Sequence, residues 1–326
     1  MTPASDLTAL SAGSELLAPK PPLEGSIGAY AAALIQARLR SLVALQADVL
    51  ADQQREPLHQ MRVACRQLRV TLQQFAPALS VPDPAAPDRL AKVGRHLGCR
   101  RDLDVLQHRL EHDFGPLLPE KEAAVLRKLL KQLRRERKLA FEAVEEALKG
   151  RRYLKVLAQL QGWLRQPQLS PLGHQPMRAW WGEFCQTALN DLLLEPGWQV
   201  DQPYAPQGQQ QLHQLRKRLK RCRYGLTNLE PLRPEPMAPW LERLRAMQHH
   251  LGDLNDLQLL DQALQQQFHE SPDRIAPCLC SLLAEARDQA WLRWRSEADT
   301  LLSPAGRAAL QRLPLLAPAP QGLTNP

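Results

Sequence analysis

Apolar residues recur along most of the chain at the three- and four-residue spacing of an amphipathic helix. Two such patterns are continuous enough to define a seam on one helix face. The first seam consists of Leu58, Met61, Cys65, Leu68, Leu72 and Phe75. The second consists of Leu212, Leu215, Leu219, Cys222, Leu226 and Leu229. We expect both seams to face the interior of the protein.

The same periodicity, interrupted mainly by proline, predicts eight helical segments. In the first half they cover residues 27–50, 57–76, 88–111 and 120–149, and the last pattern extends toward residue 163. In the second half they cover residues 177–194, 209–229, 239–268 and 272–302. The pattern therefore predicts an all-α fold in which each half is a four-helix bundle.

The ends of the chain have little helical periodicity, which predicts a disordered leader over residues 1–25 and a disordered tail over residues 313–326. Glycine and proline near residues 166–176 mark a joint between two halves. We expect the first helical-bundle half at residues 26–165 and the second at residues 176–303.

Composition supports the helical prediction and restricts the partners. The chain has 326 residues, 44% of them apolar, which is enough for a sizeable core. Aromatic residues are only 5%, so leucine, alanine and valine must build that core. The formal net charge of +8 favours an acidic partner, but it does not distinguish nucleic acid, an anionic membrane or another polyanion.

Several classes of site and location are disfavoured by the sequence. None of the six cysteines forms a Cys-x-x-Cys pair, so we expect neither a metal site nor a cofactor. The N-terminus lacks a secretory signal, and no apolar stretch approaches the ~18 residues of a membrane span. The sequence thus predicts a cytoplasmic protein without membrane insertion.

A row of basic residues beside the first seam is repeated beside the second. His59, Arg62, Arg66 and Arg69 recur as His213, Arg216, Lys220 and Arg223, at a constant offset (213 − 59 = 154). A glycine motif, Leu97-Gly98 and Leu251-Gly252, repeats at the same offset. The shared register predicts an internal duplication.

Neither basic row is neutralised within its own helix, because residues 59–75 and 213–229 contain no acidic residue. Like charges on one helix cost a few tenths of a kcal/mol per pair. A bound polyanion would offset that cost, and so would carboxylates from neighbouring helices. A row ~15 Å long that is rich in arginine suits a linear chain of phosphates better than one compact anion.

The two histidines leave two interpretations open. Each could donate a hydrogen bond to phosphate, more strongly once protonated. Each could equally be a neutral histidine bonded to a nearby carboxylate or carbonyl group. The roles of Asp102 and Asp256 also have two interpretations. Each carboxylate could orient an arginine of the rows, or it could form a local ion pair on a helix surface.

The run from His59 to Arg69 resembles the first signature of the CHAD family, the conserved histidine α-helical domain. Gly98 with the run from Arg101 to Leu106 is similar to its second element, and the runs from His213 to Tyr224 and from Leu251 to Asp256 are similar to their counterparts. The resemblance implies two pseudo-symmetric bundles around a basic central groove or pore. It also implies binding of inorganic polyphosphate without turnover.

Together the rows and the resemblance give a set of candidate residues. The predicted polyphosphate-binding residues are His59, Arg62, Arg66, Arg69, Arg101, His213, Arg216, Lys217, Lys220 and Arg223, with Asp102, Asp256 and Tyr224 in support. No catalytic residue is assigned. The sequence therefore predicts a non-enzymatic polyphosphate-binding protein, associated with polyphosphate granules and their proteins. A nucleic-acid-associated protein and a phosphohydrolase that uses His59 or His213 are the alternatives.

Overall fold

The computed structural model describes residues 21–83, 86–268 and 271–316 and contains no β-strand among them, which confirms the predicted all-α class. The helices of the first half are α1 (Ile27–Ala44), α2 (Gln46–Ala51), α3 (Glu56–Gln74), α4 (Ala86–His108), α5 (Glu120–Lys149) and α6 (Arg151–Arg165). Those that follow are α7 (Trp181–Leu189), α8 (Pro206–Leu229), α9 (Pro234–Gln267), α10 (Pro272–Ile275), α11 (Pro277–Leu302) and α12 (Pro304–Arg312). None of these helices is long and apolar enough to cross a bilayer.

Local breaks divide several of the predicted helices. The segment predicted at 27–50 is interrupted at Leu45, and Gly150 adopts an extended conformation that separates α5 from α6. The segment predicted at 177–194 is shortened to α7, because a 3-10 turn precedes it and Asp191 takes a left-handed conformation after it. Each half therefore contains more helices than the periodicity indicated.

The predicted start of one helix, at Pro239, is wrong. Helix α9 begins at Pro234, and Pro239 lies inside it. A proline in the first turn replaces an N–H group that has no helical partner, whereas one in the second turn removes a hydrogen bond. Burial of Met237, Leu241 and Leu244 on the flanking turns offsets that loss.

Both apolar seams are buried as predicted. On α3 and α8, the twelve seam side chains are at most 8% exposed. A row of basic residues beside a buried seam has its stems in contact with the core and its charged ends at the edge of the interface. The seams therefore fix the direction in which the basic rows point.

The predicted leader and tail each include a few residues that the structure describes. The carbonyl of Gly25 accepts a hydrogen bond from the backbone of Met177 (3.1 Å), which ties residues 21–25 to the joint between the halves. At the other end, Leu313 is only 1% exposed, in a 3-10 turn that packs on α7. The rest of the predicted leader and tail, residues 1–20 and 317–326, lies outside the described residues.

Helices α3 and α8 meet through buried polar groups near their C-terminal ends. Thr71 donates to the side chain of Asn228 (3.2 Å), and Gln74 donates to the backbone carbonyl of Gly225 (3.2 Å). The side chain of Asn228 also donates to Gln74 (2.9 Å). These contacts are reciprocal at the sequence offset of the basic rows (225 − 71 = 154; 228 − 74 = 154). The internal duplication stays a prediction, and this reciprocity supports it.

A buried carboxylate also connects the two halves. Glu122 at the start of α5 is 1% exposed and accepts hydrogen bonds from the backbone N–H groups of Cys278 (2.9 Å) and Leu279 (3.0 Å). These are the first free N–H groups of α11, since Pro277 has none. The carboxylate therefore caps α11 from another helix, where the helix dipole favours a negative charge.

Candidate anion-binding cleft

The two basic rows face a common cleft between α3, α4 and α8. The cleft has a volume of about 640 Å³, and its lining includes residues from all three helices. Helix α4 packs on α3 at Gly94, where a β-carbon would lie 3.7 Å from the thiol of Cys65, and that thiol donates to the carbonyl of Leu90 (3.3 Å). The buried packing of α4 on α3 thus forms one wall of the cleft.

The lining is strongly basic, with eight arginine and lysine side chains against a single carboxylate. The charged residues are Arg62, Arg66, Arg69, Arg95, Asp102, Arg216, Lys217, Lys220 and Arg221, and His213 lies among them. In the described part of the chain, the only ion pair that any of these cations forms is between Arg62 and Asp102. Carboxylates from neighbouring helices therefore compensate only a small part of the charge of the rows.

Cations of the two rows are close enough to change each other's protonation. Burial lowers the pKa of Arg66 to about 10, and the neighbouring Arg62 and Arg216 add to the effect. The pKa of Lys220 is lowered to about 5, first by burial and then by Arg216, Arg66 and Arg62. Residues on α3 and α8 thus share one electrostatic environment, which the sequence could not establish.

Each half places a glycine of α4 or α9 directly against an arginine of the rows. A β-carbon on Gly98 would lie 3.5 Å from Nε of Arg62, and one on Gly252 would lie 3.6 Å from Nη2 of Arg216. A glycine within a helix costs roughly 1 kcal/mol relative to alanine. At these distances a β-carbon would make ordinary van der Waals contact with the guanidinium group, so alanine would also fit. A side chain longer than alanine would displace the arginine.

Carboxylates accompany both of these arginines. Arg62 lies 3.9 Å from Asp102, measured from Nη2 to Oδ1, and the side chain of Asp102 is 42% exposed. On the other side, burial raises the pKa of Asp256 although Arg216 lowers it. Each arginine thus has a carboxylate in its electrostatic surroundings, and most of the positive charge of the cleft stays in place.

Two predicted site residues lie beside the cleft instead of lining it. His59 and Arg101 are neighbours at the Arg62 end, where burial first and Arg101 second lower the pKa of His59. Burial also lowers the pKa of Arg101. In contrast, His213 lines the cleft and hydrogen-bonds with Asn255, while burial and Lys217 lower its pKa. The two histidines therefore have different surroundings despite their equivalent sequence positions.

Arg223, the last residue of the second row, is not part of the cleft lining. Its Nε donates to the side chain of Gln248 on α9 (3.1 Å), and its guanidinium group lies 4.4 Å from the centroid of the Tyr224 ring. Gln248 is held in place because it donates to the carbonyl of Leu219 (3.1 Å). Gln248 within the protein thus occupies a donor of Arg223 that a ligand would otherwise use, and the guanidinium group packs over the ring of Tyr224.

Arg95 is the functional candidate that the sequence analysis missed. It lies on α4, outside both basic rows, in a stretch where acidic and basic residues alternate with apolar ones. The one sequence feature that could have indicated Arg95 is its position three residues before Gly98, because residues three apart lie on the same face of a helix. Arg221, which continues the row of Lys217 by one helical turn, also lines the cleft.

The acidic residues that follow Gly98 have separate roles. Asp102 faces the cleft, whereas Asp104 is 1% exposed and lies within an internal cluster of charges. Arg55, Arg100 and Arg137 surround Asp104 and Asp52 there, with Arg137 donating to Asp104 at 3.0 Å. This cluster joins α2, α3, α4 and α5 behind the cleft. Removing one partner from such a buried group typically costs 3–5 kcal/mol.

Comparison with solved structures places this fold among known ones. The crystal structure of the CHAD domain from the plant Ricinus communis is 25% identical in sequence, with a TM-score of 0.63, and covers 93% of this chain and 96% of that chain. PptA from Streptomyces chartreusis is 20% identical, with a TM-score of 0.59, and covers 88% of this chain and 99% of that chain, which is a likeness of fold.

Comparison at the level of sequence reaches the same family. No curated protein matches the chain significantly. The family model described as the CHAD domain matches residues 33–265, which include α3, α4 and α8 and hence every charged residue of the cleft lining. The match covers well over half of the chain, so the protein belongs to the CHAD domain family.

Proposed function

We propose that the protein binds inorganic polyphosphate in the cleft between α3, α4 and α8, without turning it over. One observation carries the proposal: basic rows from two separate helices converge on one cleft in which eight arginine and lysine side chains face a single carboxylate. An anion with one or two charges would leave most of this positive charge uncompensated. A linear polyanion would place successive phosphates beside successive cations.

The make-up of the lining favours polyphosphate over single-stranded nucleic acid. Proteins that bind single strands combine basic residues with aromatic side chains on which the bases stack, each worth roughly 1–3 kcal/mol. No aromatic side chain lines this cleft in the described part of the chain. A ligand that consists of phosphates alone needs no such platform.

The surroundings of the histidines support binding over catalysis. A general base or nucleophile needs a partner that positions it and adjusts its pKa toward the working pH. His213 bonds to an amide, and Nδ1 of His59 has no hydrogen-bond partner among the described residues. The pKa of each is lowered, so each is neutral near pH 7 in the free protein and gains a proton more readily beside a polyanion. Recruitment to polyphosphate granules would follow from the same affinity.

Titration with competing anions tests the proposed function. The purified protein is titrated with linear polyphosphate, orthophosphate and single-stranded DNA matched in phosphate number, at about 50 and about 200 mM salt, because contacts with phosphates weaken as salt rises. We expect tight, salt-dependent binding of polyphosphate, weak binding of orthophosphate and no release of orthophosphate.

Two results would overturn the proposal. Displacement of polyphosphate by DNA, phosphate for phosphate, would favour the nucleic-acid alternative. Release of orthophosphate from polyphosphate by the pure protein, lost in His59→Ala or His213→Ala, would favour the phosphohydrolase.

A further inference from the structure

A second basic cleft lies on the opposite side of α4. It has a volume of about 820 Å³ and is bounded by α4, α5 and the start of α6. Its basic residues are Arg89, Lys92, Arg95, His96, Arg151 and Arg152, and its acidic residues are Asp88 and Glu146. Arg95 lines this cleft and the main cleft as well. The two clefts therefore meet at Arg95, and α4 is the ridge between them.

Most of the positive charge in this second cleft is uncompensated. Arg89 is paired with Asp83, but among the described residues no carboxylate lies within ion-pair distance of Lys92, Arg95, Arg151 or Arg152. These four side chains are exposed. They are thus available to a ligand from solvent.

The start of α6 is unfavourable unless an anion is present. Arg151 and Arg152 are its first two residues, no acidic residue occurs in its first turn, and Gly150 supplies no side-chain cap. The free N–H groups of a helix N-terminus carry a partial positive charge, so two arginines there add to the repulsion. A bound phosphate group would satisfy both the N–H groups and the guanidinium groups.

We propose that Lys92, Arg95, Arg151 and Arg152 form a second anion-binding subsite, which binds the part of a long polyphosphate chain that extends beyond the main cleft. This inference rests on the proposed function. It assigns the protein a preference for long chains, because only a chain that already fills the main cleft and crosses α4 at Arg95 reaches both sites. Binding of the second segment is then intramolecular and adds affinity without a second encounter.

The test compares two chain lengths in a variant that lacks the second subsite. Arg151→Gln combined with Arg152→Gln is titrated with a short polyphosphate, no longer than the ~15 Å of one basic row, and with one several times longer. We expect about tenfold weaker binding of the long chain and less than about twofold change for the short one. The slope of log affinity against log salt should fall by roughly 1.4 for the long chain only, since each of the two lost phosphate contacts reduces it by about 0.7.

The matched control is Arg307→Gln combined with Arg312→Gln, which removes the same charge from exposed positions on α12, away from both clefts. It should bind both lengths like the wild type. An equal loss for both lengths, or no loss for either, would overturn the second subsite while the proposed function stands. Failure of the wild type to bind either chain would overturn both.

Discussion

Replacing Arg62 and Arg216 together with alanine should weaken polyphosphate binding by a factor of at least about a hundred. A charge-assisted hydrogen bond contributes roughly 1.5–3 kcal/mol, and about 1.4 kcal/mol corresponds to a factor of ten in affinity. The two arginines come from different halves and lie near each other in the cleft, where each lies beside a glycine. The double variant therefore removes one contact from each row.

This variant should fold normally. Nε of Arg62 and Nε of Arg216 are buried without a hydrogen-bond partner among the described residues, and the one ion pair that is lost, Arg62 with Asp102, is long (3.9 Å) and partly exposed. Removal also relieves repulsion with Arg66 and Lys220. Urea unfolding should show a free energy of unfolding at least equal to that of the wild type. The control with the same loss of charge is Arg307→Ala with Arg312→Ala, which should bind normally.

A normal affinity in the Arg62→Ala, Arg216→Ala protein would show that the ligand binds elsewhere. An equal loss in the control variant would show that net charge, not the cleft, determines affinity. Either result would remove the basis for the proposed site.

Binding should take up a proton at Lys220, so affinity should fall as pH rises. In the free protein the pKa of Lys220 is about 5, because the side chain is buried among Arg216, Arg66 and Arg62 with only Asp102 opposing them. A polyanion beside it favours the charged form and raises the pKa toward the usual ~10.4. Between the two values the bound state holds one more proton than the free state.

The expected slope is about one log unit of Kd per pH unit between about pH 7.5 and 9.5, or roughly a hundredfold weakening across that range. This window lies above the ordinary pKa of a terminal phosphate group, ~6, and above that of histidine, ~6.5, from which the pKa values of His59 and His213 are lowered in the free protein. The measurement is Kd against pH, together with the heat of binding in buffers of different ionisation enthalpy, which reports the proton directly.

Two variants at this position separate charge from proton uptake. Lys220→Met should bind weakly at every pH and lose the slope. Lys220→Arg should also lose the slope but keep its affinity at high pH, because arginine stays protonated. A wild-type Kd that is constant from pH 7.5 to 9.5, or a slope that persists in Lys220→Met, would contradict this assignment.

The sequence specified the helices and the direction of their apolar faces more reliably than the position of the site. The seam from Leu58 to Phe75 is buried as predicted because three- and four-residue spacing is a property of a single helix. Helix ends were predicted less well. Pro239 lies inside α9 because packing on both sides outweighs the loss of one hydrogen bond, and no local signal reports such packing.

Convergence of the two rows depends on how α3 packs on α8, which periodicity does not describe. The sequence predicted that Arg66 and Lys220 lie on equivalent faces of their helices. It did not predict that the two side chains are close enough to influence each other electrostatically. Arg223 has the same place in the second row as Arg69 in the first, so the sequence predicted both as site residues. In the structure Arg223 instead donates a hydrogen bond to Gln248 of α9. Arg95 joined the site from α4 because of tertiary packing alone. These outcomes are set by contacts between helices distant in sequence.

The structure of the protein bound to a linear polyphosphate that spans one basic row tests the central claim most directly. We expect the chain in the cleft between α3, α4 and α8, with phosphate oxygens at hydrogen-bond distance, ~3 Å, from Arg62, Arg66, Arg216 and Lys220. A chain bound at another surface, with these four side chains free of phosphate contacts, would contradict it.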